Sequence, residues 1–295
     1  MLVGGVELGG TKIRVGRGTP DGRIGESETF ATEGPDKSFA RIVGYFRRGS
    51  PIAAIGIGAF GPVAIGRDDP DYGRLRGTPK PGWRDFDIGA AMAVLGVPLL
   101  LDTDVNVAGR AEAALGALRG ADCGVYLTVG TGIGGALILN GRPAPGASHP
   151  EMGHVALVRA PADDFPSVCP YHRDCAEGLA SGPAIRRRFG ASLDLLPADH
   201  PGHALIAGYL GQLLAGIVSI AAPRRIVLGG GVAKAAGLHA RVREVLARSL
   251  NGYAIYPEVE APGFVVPPAL GDDTGLAGAL LIAGEETGRS ETRVG

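Results

Sequence analysis

Residues 124–146, GVYLTVGTGIGGALILNGRPAPG, carry an apolar run, a Gly/Thr turn, a second apolar run and an Asn-Gly turn. Residues 2–24, LVGGVELGGTKIRVGRGTPDGRI, follow the same plan. Each reads as strand, turn, strand, turn, because NGR and TPDG are strong hairpin-turn signals. A hairpin that recurs about 120 residues later predicts two lobes of related build. Between the copies, PIAAIGIGAFGPV (51–63) and GVPLLLDTDV (96–105) each offer a buried-strand run, and VNVAGRAEAALGAL (105–118) reads as an alanine-rich helix. In the second half, SGPAIRRRFG (181–190) and residues 203–222 read as helices, PRRIVLGGGVAK (223–234) as a strand entering a glycine turn, and GLHARVREVLARSL (237–250) as an amphipathic helix. The last apolar stretch, GDDTGLAGALLIAGEE (271–286), predicts a helix capped by Asp272, Asp273 or Thr274. Strands alternating with helices give an α/β architecture.

Composition narrows the function classes. The 295 residues are 45% hydrophobic and 20% charged with a formal net charge of −1, which draws the chain toward neither nucleic acid nor an anionic membrane. No apolar run approaches the roughly 18 residues of a bilayer span, and MLVGGVELGG lacks the pattern of a secretory signal. Three cysteines make no disulfide framework, so a reducing cytoplasm is the expected compartment. Fifty glycines exceed the usual share of about 7% and cluster at the ends of apolar runs, where backbone can approach a ligand closely. Residues 66–85, rich in Gly, Pro and charge, read as a long functional loop.

Three glycine clusters follow strands: Gly9-Gly10-Thr11-Lys12, Gly130-Thr131-Gly132 and Gly229-Gly230-Gly231. Gly130, Gly132 and Gly135 match G-x-G-x-x-G, but ALILNGR continues as a strand where the dinucleotide fingerprint needs a helix. No P-loop pattern and no protein-kinase signature is present. Turns of this kind can offer N–H groups and Thr hydroxyls to phosphate oxygens, with Lys12 as a cation; each alone is equally ordinary hairpin chemistry. Asp102 and Asp104 stand where an apolar strand meets a helix, so each can be an N-cap or a general base, and one can cap while the other does chemistry. Cys169, His172 and Cys175 form a Cys-x-x-His-x-x-Cys cluster open to three readings: a metal site, a disulfide or free thiols.

Eight ordered blocks resemble the ROK family of sugar kinases and repressors, within it the bacterial fructokinases: ELGGTK (7–12), GAFGPV (58–63), GTPKPGW (77–83), DTDVN (102–106), TVGTGIGG (128–135), SHPEMGH (148–154), CPYHRDCAEGLASGPA (169–184) and LGGGV (228–232). The resemblance implies a two-lobed actin-like (ribonuclease H-like) ATPase fold with a central cleft. It places a small lobe at 1–118 plus 276–295 and a larger one at 119–275. It implies ATP with Mg²⁺ on its phosphates, and a hexose as acceptor. Asp104 matches the family's catalytic base. Thr103 stands where many glucokinases of the family carry Asn, which turns the resemblance toward fructose. Thr103, Glu151, His154 and Glu177 are the substrate-binding residues the resemblance implies, the last three by direct match to sugar-contacting residues. Gly9, Gly10, Thr11 and Lys12 match the first phosphate loop and Thr131 and Gly132 the second, while Pro183, Gly229, Gly230, Gly231 and Val232 match nucleotide contacts. His154 joins Cys169, His172 and Cys175 as the fourth ligand of a structural Zn²⁺, an arrangement in which the commoner family pattern has cysteine for His172.

The activity implied is transfer of phosphate from ATP to D-fructose at O6. In-class alternatives are glucose, mannose or an N-acetylated amino sugar. A non-catalytic sugar-sensing regulator is the alternative of another class; repressors of the family carry a winged helix-turn-helix ahead of the first glycine loop, for which ELGGTK at residue 7 leaves no room. A homodimer without nucleic-acid or membrane partners is expected.

Overall fold

Both duplicated stretches fold as antiparallel hairpins in the computed structural model, which describes residues 1–78, 80–253 and 256–292, the side chains of 288–292 excepted. Pro79 of the GTPKPGW block and residues 293–295 lie outside the described residues. Along the chain come β1 (Val3–Leu8), β2 (Lys12–Gly18), β3 (Ile24–Ala31), α1 (Pro35–Arg48), β4 (Ile55–Ala59), α2 (Ile88–Met92), β5 (Leu99–Thr103) and α3 (Asp104–Leu115). Then follow β6 (Cys123–Val129), β7 (Ile133–Leu139), β8 (Arg142–Pro143), α4 (Ala176–Ala180), α5 (Gly182–Phe189), α6 (Gly202–Ala221), β9 (Arg225–Gly229), α7 (Leu238–Leu250), α8 (Pro257–Glu260), β10 (Val265–Val266) and α9 (Thr274–Thr292).

Two units result: residues 1–111, 145–149 and 272–295, and residues 112–144 and 150–271. Each is built on one five-stranded sheet, in the orders β3-β2-β1-β4-β5 and β8-β7-β6-β9-β10. In both, the hairpin strands pair antiparallel and the next two strands add in parallel on the far side. The repeat read from sequence is thus a repeat of topology. Asn140 and Gly141, at φ of 49° and 78°, supply the left-handed pair that the NGR turn requires.

In the first unit, α1 turns Phe39, Ile42, Tyr45 and Phe46 inward at helical spacing, beside a core of Val6, Leu8, Ile13, Ile55 and Ile57. In the second, α6 occupies the interior. Contrary to the expectation that no run is long enough, α6 has the length and hydropathy of a bilayer span, with a mean hydropathy of 1.8. It also buries eleven side chains or backbones, among them Ile206, Leu210, Leu213 and Ile217, against Val125, Leu127 and Leu228 of the sheet. A helix apolar nearly all round is what a core position demands.

The last helix lies on the first sheet with almost no separation. A Cβ on Gly56 of β4 would sit 2.0 Å from the Ala279 carbonyl oxygen, and one on Gly278 would sit 1.9 Å from that of Val107. Backbone cannot yield as a side chain does, so α9 reaches this depth only through glycine. Replacing Gly56 with Ala is expected to cost about 3 kcal/mol through forced displacement of α9. By contrast, Gly44→Ala in α1, where a Cβ meets nothing within 4 Å, should stabilise by about 0.5–1 kcal/mol. Denaturant midpoints of the two variants check both signs; a neutral Gly56→Ala would refute the close-approach account.

Candidate active site

Register decides what leaves the edge of the first sheet. Leu8 pairs with Ala59 and Ala59 with Thr103, so the carboxyl ends of β1, β4 and β5 finish in one row. Gly9, Phe60 and Asp104 therefore start their turns side by side, at the edge where open α/β sheets hold ligands. The Gly9 N–H donates to the Lys12 carbonyl at 3.1 Å, closing the first glycine turn. Thr32 donates its hydroxyl to the Gly9 carbonyl at 2.7 Å, and the Lys80 ammonium donates to the carbonyl of Gly10. Thr11 and Lys12 are exposed. Two residues outside the sequence reading also belong to this turn. One is Lys80; the other is Glu7, whose carboxyl is pushed up by burial and drawn back down by Lys12 and Arg14.

The pair Asp102 and Asp104 divides as follows. Thr103 is the cap: its hydroxyl oxygen accepts from the Asn106 N–H at 3.1 Å, and the residue is 2% exposed. Asp102 accepts from the Thr103 N–H at 2.8 Å and the Asn106 side-chain amide at 2.6 Å, with Arg110 at 4.0 Å. Its carboxyl is raised above the usual range by burial, against the pull of Asn106. Asp104 opens α3 half-buried, taking the Val105 N–H at 2.9 Å. A carboxylate in the first turn of a helix is favoured as an anion by the helix dipole.

In the second unit, three glycine segments meet through backbone. Thr128 of β6 pairs with Gly229 of β9, so the second and third glycine turns leave one edge. The Gly130 N–H donates to the Gly132 carbonyl at 2.8 Å, and the Gly182 N–H at the start of α5, next to Pro183, donates to the Gly130 carbonyl at 2.8 Å. Gly230, at φ of +88°, lies so near the end of β6 that a Cβ would stand 2.3 Å from the Val129 carbonyl oxygen. Gly231 faces open space, and Val232 turns into the core. Thr131 is exposed and Gly132 half-buried.

Ile133, first residue of β7, joins this turn to the cysteine cluster. Its N–H donates to Glu177 at 2.9 Å, and its carbonyl lies where a Cβ on Gly153 would come within 1.9 Å. Gly153 thus lets the short 3₁₀ turn Met152–His154 lie on β7, with exposed Glu151 at its head accepting the His154 N–H at 3.0 Å. His154 points Nδ1 at the Cys169 sulfur, 3.8 Å away, and Nε2 at Glu177, 3.9 Å away. The His172 Nδ1 lies 3.6 Å from the same sulfur. One ligand atom from each of His154, Cys169, His172 and Cys175 falls within 4.8 Å of all the others.

Tetrahedral zinc bonds of about 2.3 Å to sulfur and 2.0–2.1 Å to nitrogen set S···N edges of about 3.6 Å, which the two separations match. The cysteines are free thiols, so the disulfide reading does not hold. Burial, with help from Cys169, pushes the Cys175 thiol up to about 11, and its sulfur accepts the Gly178 N–H at 3.3 Å at the head of α4.

A second fastening holds the irregular segment that carries the cluster. Asp163 accepts from both terminal nitrogens of Arg188, at 2.7 and 2.9 Å, and from the Tyr209 hydroxyl. Arg188 lies over the Phe165 ring at 3.8 Å, and Arg159 ties Asp174 to the Phe165 carbonyl. Both members of the Asp163–Arg188 pair are more than nine-tenths buried.

Comparison with known proteins fits this arrangement. The profile of the ROK family matches residues 3–286. A fructokinase of Pediococcus pentosaceus is 39% identical over 284 residues, covering 96% of this chain and 98% of its own. The crystal structure of a ROK hexokinase from Thermus thermophilus superposes with a TM-score of 0.78 at 32% identity, covering 98% of this chain and all of that one. A ROK family glucokinase from Streptomyces griseus, solved with glucose and AMPPNP, gives 0.79 at 26% identity over 97% of this chain and all of its own.

Bonding to Arg188 holds the Asp163 carboxyl down at about 2, below its ordinary 3.8. A depressed carboxylate stabilises the fold above its unfolded value and loses that contribution as pH falls through the folded one. Asp163 is therefore expected to contribute about 2 kcal/mol at neutral pH, vanishing between about pH 4 and pH 2. Asp163→Asn should destabilise by about 3 kcal/mol at pH 7, since Arg188 is left buried and unpaired. Urea midpoints from pH 7 to pH 3 should converge for wild type and variant; a gap independent of pH would refute the assignment.

Proposed function

The chain belongs to the ROK family and has its actin-like ATPase fold, and from that premise we propose that it is an ATP-dependent fructokinase, converting D-fructose to fructose 6-phosphate. The observation that carries the reading is the first sheet's register: Asp104 starts α3 two strands from the first glycine turn, about 10 Å away along the row. A phosphate gripped at that turn lies within a substrate's length of the carboxylate. Identity of 39% with a fructokinase, against 26% with a glucokinase, supports fructose over glucose.

Asp104 is the general base. It accepts the proton of the sugar hydroxyl as that oxygen bonds to the γ-phosphorus and the bond to ADP breaks. Thr103 acts by fixing the start of α3 and hence the carboxylate of Asp104. Gly9, Gly10, Thr11 and Lys12 offer the first phosphate contacts. Thr131, Gly132, Pro183 and Gly229 to Val232 form the nucleotide contacts of the second unit, consistent with their backbone linkage there. Glu151, His154 and Glu177 take sugar hydroxyls. Glu7, the carboxylate beside the turn, would help hold Mg²⁺, whose chemistry would be to offset phosphate charge.

His154, Cys169, His172 and Cys175 hold a structural Zn²⁺ with no open position, a donor set of two sulfurs and two imidazoles suited to that ion. Its effect is positional. With Nδ1 engaged, His154 keeps Nε2 toward Glu177, so both sugar-binding side chains are set by the cluster. The working form is a cytoplasmic homodimer.

A coupled assay of ADP release over fructose, glucose, mannose and N-acetylated amino sugars tests the substrate; a kcat/KM higher for any other hexose overturns fructose. Asp104→Asn should lower kcat about a thousandfold while fructose affinity by calorimetry stays within about threefold. Retained turnover removes Asp104 as base. Elemental analysis should find one zinc per chain, lost in Cys175→Ser with a lower melting temperature; a metal-free wild type rejects the zinc site.

A further inference from the structure

Lys80 lies in the long loop of residues 66–85, within GTPKPGW, and its placement follows from Trp83. That indole is 1% exposed, packs edge-on against Phe60 at 5.2 Å and Phe86 at 5.8 Å, and donates its N–H to the Glu33 carbonyl at 3.1 Å. Thr78, 4% exposed, accepts the Lys80 N–H at 3.4 Å. The loop is thereby pinned on both sides of Lys80. Its side chain runs past the Phe60 and Trp83 rings, the ammonium 5.7 and 5.9 Å from their centroids, and ends on the Gly10 carbonyl of the first glycine turn.

Arg14, Arg74, Arg76 and Arg110 of the same unit each meet a carboxylate. Lys80 meets none among the described residues. An ammonium has three donors, and one is accounted for. Partial burial depresses its pKa, so holding the charge there has a desolvation cost that no carboxylate among the described residues offsets. Lys12, by contrast, is exposed and lies within electrostatic reach of Glu7, where part of its charge is balanced.

We propose that Lys80 binds the γ-phosphoryl group of ATP at the first glycine turn and neutralises it during transfer, so that the missing counter-ion of this ammonium is the substrate. The assignment rests on the kinase reading given above. It makes the long loop part of the catalytic apparatus: Trp83 is the anchor, Lys80 the working group, and the Gly10 carbonyl the rest that aims it. Electrostatic stabilisation of this kind acts on the charge that shifts in transfer, so its loss falls on kcat.

The test compares wild type with Lys80→Met and Lys80→Arg by steady-state kinetics, melting temperature and calorimetric titration with AMPPNP and with ADP. Lys80→Met should lower kcat about a hundredfold, keep the fructose KM within about threefold and leave the melting temperature within about 2 °C. Lys80→Arg should recover at least about tenfold of the lost kcat, since it restores the charge. AMPPNP should bind Lys80→Met about tenfold more weakly, with ADP changed less than about twofold, because only the former presents a third phosphoryl group. An unchanged kcat, a loss carried wholly by the fructose KM, or equal loss of AMPPNP and ADP affinity would each overturn the proposal. A wild type that binds AMPPNP yet phosphorylates no hexose refutes the kinase reading instead, and Lys80 is then decided by the two affinities.

Discussion

Contact of backbone with backbone, at positions where a single extra carbon cannot fit, sets the first unit. The final helix rests on β4 at Gly56 and on α3 at Gly278, each less than a van der Waals distance from a carbonyl oxygen once a Cβ is added. α3 begins with Asp104 and α9 follows close on the strand row that ends at Leu8, Ala59 and Thr103. The depth at which α9 packs therefore also fixes where α3 begins, and with it the carboxylate at the sheet edge. Glycine is abundant here because the architecture brings layers together at backbone range as well as turning corners. Core side chains such as Leu276, Leu280 and Ile282 then fill the space beside those contacts.

The second unit applies the same device nearer to the chemistry. Gly153 lies on the Ile133 carbonyl, while Ile133 gives its N–H to Glu177. One residue of β7 therefore locates both sides of the proposed sugar site, and the glycine turn immediately before it belongs to the phosphate side. The four-ligand cluster and the Asp163–Arg188 pair hold the opposite end of the same segment. An irregular stretch without regular backbone pairing needs such external fastening, since it has few ladder hydrogen bonds of its own. The cluster shares His154 with the proposed sugar site, and both fastenings limit the freedom of the segment that carries it.

Much of this was legible in the sequence because local chemistry announced it. Asn140-Gly141 and the apolar runs around it specify a hairpin whatever its surroundings, and the parallel strands stand out as short buried runs. β3 was not legible: IGESETFA is an edge strand with most of its side chains exposed, so no apolar alternation marks it. The amphipathic α1 carries its signal in Phe39, Ile42, Tyr45 and Phe46, a pattern visible once sought. Lys80 could not be found locally, since its meaning depends on Gly10, seventy residues away in the chain. Asp163 is of the same kind: its partners Arg188 and Tyr209 come from α5 and α6. By composition Asp102, Thr103 and Asp104 all suit the cap of α3, and only the bond from the Asn106 N–H to the Thr103 hydroxyl decides among them.

The roles of those two aspartates follow from how the strand ends. Asp102 is still in β5, and one oxygen of its carboxylate accepts from the Thr103 N–H and the Asn106 amide while the other faces Arg110 at 4.0 Å, so it is engaged inside the unit. Asp104 is two residues on, past the last strand pairing, and a period of two would return its side chain to the face of Asp102 were the strand to continue. The change to helix at Thr103 breaks that period and re-aims the second carboxylate. Capping by Thr103 is therefore more than helix stabilisation. It gives neighbouring acids of one motif different partners, Asp102 held by the Asn106 amide beside Arg110, Asp104 placed at the head of α3 where three parallel strands end.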